Sequence, residues 1–193
     1  MQGNRNQGEQ LDDVHKLKYL DLKCKSQPDQ VVQAIKSYVI PYEESLVICQ
    51  KYRNLHGMAY IMSKIRNIGE ALKIYMEIFG EMVDNYLQTE DFSRLPEALF
   101  SYHMILEICK KESDEMLEEG VKYFDLFLSF LFDIYVRLSQ EEELAERDTN
   151  KEERLAVVSG LKVYIKTEIF DDFLNIYVGR AGTKGLIEVD DCV

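Results

Sequence analysis

Tryptophan is absent from this 193-residue chain, glycine (10) and proline (3) are sparse, and the four cysteines stand far apart. Each shortage excludes something. So little Gly and Pro cannot punctuate a turn-rich all-β chain, and no collagen-like period exists. Cys24, Cys49, Cys109 and Cys192 form no C-x-x-C pair, and structural zinc sites draw on such local pairs. Cys49 and Cys109 fall on apolar helical faces, where a free thiol packs as a small hydrophobe; the compartment reads as reducing. No Asn-x-Ser/Thr sequon occurs, and the polar start Met1–Gly8 has no apolar segment of the signal-peptide kind. The longest apolar run, 126–136, follows Asp125 and is broken by Asp133, so it is too short and too charged to span a bilayer.

Apolar residues at 46% and charged residues at 30% are the balance of a globular chain with a real core, long enough for one domain. Charge is uneven: residues 1–80 carry a net +2 and residues 81–193 a net −14. An acidic second half disfavours nucleic acid, whose phosphates need a basic face, and gives no attraction to an anionic membrane surface. A solvated acidic face that keeps the protein soluble accounts for it.

Apolar residues recur at the helical period along most of the chain. The spacing predicts helices over about 11–24, 28–38, 41–52, 58–65, 69–87, 93–111, 113–140 and 154–178. Pro28 and Pro41 sit in first turns, and Ser93 is an N-cap candidate ahead of Pro96 and Glu97. Arg53 to Gly57 and Arg66 to Gly69 read as turns. The helix around Phe127 is apolar nearly all round, with Asp125, Ser129 and Asp133 as one narrow polar stripe; it reads as central and covered on most sides. The charged stretch 141–153 is a loop or an exposed helix extension. Residues 1–9 read as a disordered tail, 10–178 as one helical-repeat domain, and 179–193 as a C-terminal tail in which Ile187 and Val189 form a brief extended piece. Short turns force neighbouring helices antiparallel, so the fold class is all-α: helical hairpins stacked as a short α-solenoid, or a compact helical bundle.

Chemistry-bearing motifs are scarce. His15, His56 and His103 lack the i, i+4 spacing of a helical metal site. Acidic neighbours such as Glu43–Glu44 and Asp171–Asp172 point in different directions on a helix and read as solvated faces, not as a catalytic pair. No G-x-S-x-G elbow occurs, and residues 179–185 lack the Gly-Lys-Ser/Thr order of a phosphate loop. No catalytic, metal-ligating or cofactor-binding residue is expected, and the chain reads as a non-enzyme. Met58, Met62, Met76 and Met82 have core spacing. A protein-binding surface, if one exists, is expected as an exposed aromatic strip of Tyr60 or Tyr75 flanked by Lys64 and Lys73.

The window Tyr42–Ile78 carries a resemblance. Tyr52 stands in the turn after one helix, Ala59-Tyr60-Ile61-Met62 in the next helix, Arg66-Asn67-Ile68 in a short turn, and Ala71-Leu72 opens a third helix. This resembles the clathrin-heavy-chain-type repeat of the vacuolar protein sorting α-solenoids, most of all those of CORVET type, over about 40 residues. Arg66 stands where that family usually has Gly, and Asn67 where it usually has Asp. No counterpart of its zinc-binding RING is seen in the dispersed cysteines. Small residues suit Ala59 and Ala71, where helix backbones cross closely, and Ile68 can pack beneath the turn. The resemblance implies a scaffold or adaptor segment in endosomal or vacuolar vesicle tethering and protein sorting. It implies tethering-complex subunits and a small GTPase as partners, and a cytoplasmic place peripheral on endosomal or vacuolar membranes. It also implies a piece, or a short relative, of a longer protein. A helical bundle of unrelated interaction role, or a ligand-binding bundle, stands as the alternative.

Overall fold

The computed structural model describes residues 12–89, 95–115, 117–147 and 152–183. Among these it is all-helical, and contacts divide it into two compact units, up to Ile74 and from Tyr75 onward. One domain was expected; the division falls inside a helix, where no turn marks it.

The first unit holds α1 (Asp13–Ser26), a short 3₁₀ turn (Pro28–Gln30), α2 (Val31–Tyr38), α3 (Tyr42–Lys51), α4 (Leu55–Lys64) and the first turns of α5 (Ile68–Thr89). Asp12 caps α1 by accepting from the His15 N–H at 2.9 Å. Helix α1 packs on α2 and α3, and α4 packs on the same two. Their shared core is Leu20, Cys24, Val31, Ala34, Ile35, Ile40, Cys49 and Ile61, all buried.

Helix α4 begins three residues before the expected start. Arg53 turns the chain with a left-handed φ of 48°. Asn54 then caps the helix, its Oδ1 accepting from the Gly57 N–H at 2.8 Å while its Nδ2 donates to the Pro28 carbonyl at 3.0 Å. Leu55, His56 and Gly57 are therefore first-turn residues, not part of the turn. Gly57 is where α2, α3 and α4 meet: a Cβ there would lie 2.7 Å from Cys49 Sγ, 2.8 Å from Asn54 Oδ1 and 2.9 Å from Val31 Cγ1. Arg66, at φ 66°, makes the next turn, and Ile68, Ala71 and Leu72 are buried as α5 begins.

The second unit holds the rest of α5, then α6 (Leu95–Glu115), α7 (Leu117–Glu146), α8 (Glu152–Tyr164) and α9 (Asp171–Thr183). Helix α7 lies antiparallel to α6, with the Tyr102 and Phe127 rings 6.1 Å apart, and antiparallel to α8 and α9. Phe79 of α5 meets Phe130 of α7 at 6.1 Å, and Asp84 pairs with Arg137 at 2.9 Å. Aromatic rings fill the centre: Phe124, Phe127, Phe173 and Tyr102 are fully buried. Tyr102 donates its hydroxyl hydrogen to Asp172 Oδ2 at 2.7 Å, which satisfies the one polar atom of that ring.

Helices α8 and α9 join through a wide turn, Ile165–Phe170, in which the Asp171 N–H donates to the Lys166 carbonyl five residues back. Along this run Leu161, Ile165, Ile169 and Phe173 are buried at steps of four. Four residues overshoot one α-helical turn of 3.6, so an unbroken α-helix would rotate the stripe away from the core. The wide turn holds more residues and cancels that drift.

The charged stretch 141–153 resolves partly into helix, since α7 continues to Glu146. Helix α9 runs to Thr183, past the expected end at 178. The stripe exposed on α7 is broader than expected: Leu126, Phe132 and Val136 lie on it beside Asp125, Ser129 and Asp133. The expected tail 1–9, the part of the expected tail 179–193 that follows Thr183, the extended piece at Ile187 and Val189, and the Ser93 cap lie outside the described residues.

Candidate protein-interaction surface

The expected strip does not form as written. Tyr60 is 8% exposed and Tyr75 1%, so both rings belong to cores, each in its own unit. Neither position announces this in sequence, because a tyrosine at helical spacing suits a core face or a wet one equally. Lys73 is at the surface and paired with Glu70 at 2.6 Å. Lys64 is exposed and stands over the Tyr60 ring, beside residues that the sequence did not single out.

The surface starts from the end of α2. Val31, Ala34 and Ile35 face inward, which turns Lys36, Ser37 and Tyr38 outward. Pro41 bars the helical conformation from Ile40, and Ile40 is itself buried, so the chain must change direction at Val39. Val39 does so in the left-handed region, φ 49° and ψ 59°. A helix normally places Gly or Asn there, and a β-branched residue is strained. That side chain is also 79% exposed, the most open large apolar residue described.

Tyr60, from α4, forms the floor. The Lys36 ammonium stands 5.1 Å from its ring centroid and the Lys64 ammonium 5.3 Å. Both distances are in the cation–π range. Burial first, then the neighbouring Tyr42, raises the Tyr60 pKa above the ordinary phenol value. Tyr38 packs edge-on against Tyr19 of α1, centroids 5.1 Å apart. Tyr38, Val39, Tyr42 and Ile65 thus stay exposed around two cations. Among the described residues neither Lys36 nor Lys64 has a carboxylate partner.

Several other cations are paired. Lys51 donates to Asp21 at 2.8 Å and the Tyr52 hydroxyl donates to the same carboxylate at 3.1 Å. The polar cavity of about 440 Å³ lined by Asp84, Arg137, Glu141 and Arg154 holds two ion pairs, Arg137–Asp84 and Arg154–Glu141 at 2.7 Å, which neutralise one another. Groups of three or more His, Cys, Asp or Glu able to hold a metal are absent among the described residues. No helix among them is long and apolar enough to cross a membrane. No protein-family model, no curated protein and no solved structure matches this chain.

Proposed function

We propose that this chain is a protein–protein scaffold segment of the clathrin-heavy-chain-repeat kind, its hairpins stacked as a short α-solenoid, acting in endosomal or vacuolar tethering and sorting. The observation that carries the scaffold reading is the surface around Tyr60. Two lysines with no carboxylate partner among the described residues flank an exposed rim of tyrosine, valine and isoleucine, an anchor-and-rim chemistry that suits a protein partner. Its charge fits a partner segment that presents carboxylates beside an apolar side chain.

Two further features support the repeat resemblance. Arg66 has a left-handed backbone where that family usually has Gly, a residue suited to such a conformation. Ala59 and Ala71 are fully buried, as close helix crossings demand.

The test is recovery of the tagged full chain from its own cells, read by mass spectrometry, beside the double variant Lys36→Glu/Lys64→Glu. The expected result is enrichment of tethering subunits or a small GTPase with the wild type and their loss with the variant. Both lysines are at the surface, so the variant should fold, and an unchanged circular dichroism spectrum checks this. Equal recovery by both proteins removes the surface from the reading. Absence of such partners from the wild type removes the tethering role.

A further inference from the structure

Where α7 meets the wide turn between α8 and α9, Phe132, Tyr135, Lys166, Phe170 and Asp171 line a largely apolar pocket of about 230 Å³. All five belong to the second unit. Phe132 and Tyr135, three apart, are neighbours on one face of α7. On the opposite wall the wide turn decides the chemistry. In a regular α-helix Lys166 and Asp171, five apart, would point about 140° from one another. Here the Asp171 N–H donates to the Lys166 carbonyl, so the turn closes over five residues and both side chains line one pocket.

The Phe132 ring stays 57% exposed, so a ring seated against it would remove apolar surface from water. Lys162, whose ammonium stands 5.3 Å from the Tyr135 ring centroid, is held by Glu142. Lys166 and Asp171 are both exposed and make no ion pair among the described residues, with each other or with a third group. The pocket thus combines three aromatic walls with one cation and one carboxylate that the described residues leave unmatched.

We infer that this pocket is a binding site for a small aromatic zwitterion of the α-amino acid class. The ring lies among Phe132, Tyr135 and Phe170, the carboxylate meets Lys166, and the ammonium meets Asp171. The size fits: the cavity is smaller than the roughly 300–1,000 Å³ of a drug-sized site, room for one ring and a short substituent. The charges favour a free amino acid over the aromatic side chain of a partner protein. Within a peptide that side chain is flanked by neutral amides, which match neither Lys166 nor Asp171.

The experiment titrates the isotope-labelled full chain with L-phenylalanine and follows amide chemical shifts by NMR. The expected result is saturable shifts centred on Phe132 and Phe170, with a Kd on the order of 1 mM. Phenylethylamine, which lacks the carboxylate, and phenylpropanoate, which lacks the ammonium, should each bind roughly two- to fivefold more weakly. Lys166→Gln should abolish the preference for phenylalanine over phenylethylamine, and Asp171→Asn the preference over phenylpropanoate. Phe132→Ala should weaken all three ligands by roughly tenfold. Each substitution replaces an exposed side chain, and an unchanged circular dichroism spectrum checks the fold. Three results overturn the proposal: no saturable shift up to the solubility of phenylalanine, shifts centred on another part of the chain, or equal affinity for all three ligands. The last would make the pocket a neutral seat for a partner's aromatic side chain. Should a variant not fold, the comparison of the three ligands on the wild type still decides.

Discussion

A single residue, Val39, sets local strain and surface character together. Its left-handed backbone arises because Ile40 is needed in the core and Pro41 forbids Ile40 a helical turn. Such a conformation costs an L-residue roughly 1–2 kcal/mol, and glycine escapes that penalty while losing more chain entropy on folding. Val39→Gly should therefore stabilise the chain by roughly 0.5–1 kcal/mol in urea unfolding. It should weaken binding of any partner held at the Tyr60 surface, since the most open large apolar side chain among the described residues is gone. Gain of stability with loss of binding separates a contact residue from a merely structural one; unchanged binding would take Val39 out of the surface. Lys64 was legible as a surface cation from helical phase alone. Lys36 was not, because its relation to Tyr60 joins residues 24 positions apart. Tyr60 and Tyr75 misled for the opposite reason: their polar tips disguise rings that three-dimensional packing encloses.

At the scale of elements, the meeting of α2, α3 and α4 turns on Gly57. Within a helix a Gly-to-Ala change usually stabilises by about 1 kcal/mol. Here the added methyl would fall within 3 Å of Cys49, Asn54 and Val31, so the helices must part or the Asn54 cap must break. Gly57→Ala should destabilise the chain by roughly 1–3 kcal/mol, with the loss visible as a lower urea midpoint. A neutral or stabilising result would show that α4 can shift without cost. The same glycine explains a sequence-level miss. Read alone, Arg53 to Gly57 is a turn; the Asn54 cap that starts α4 at Leu55 relies on the Pro28 carbonyl, which sequence order hides. The tail expected from residue 179 also starts later than expected, since α9 continues through Gly179 to Thr183. Helix existence was legible throughout because an apolar stripe at helical period has few other readings. Helix ends depended on contacts from distant segments.

For the whole molecule, the division at Ile74 and the uneven charge define two differently built halves. The first is nearly neutral and rich in local caps. The second carries the acidic excess and a core of aromatic rings. Alkaline titration probes that core. Burial pushes the Cys109 thiol up to about 12. Below the ordinary thiol range, near 8.5, folded and unfolded chains are equally protonated and the contribution is complete. Above it the unfolded chain loses its proton first, so stability falls from there until about pH 12. At pH 10 the loss should be roughly 1–2 kcal/mol. Cys109→Val should remove that part of the pH dependence, measured as the difference in urea midpoints at pH 7 and pH 10 under reductant. An identical slope in both proteins would mean the thiol is more open than its surroundings indicate.

The wide turn between α8 and α9 has a historical side. A helix that must keep Leu161, Ile165, Ile169 and Phe173 in one line accepts an extra residue only by bulging, and a bulge leaves the residues on either side in phase. The segment Ile165–Phe170 thus has the form of an insertion absorbed without moving either end.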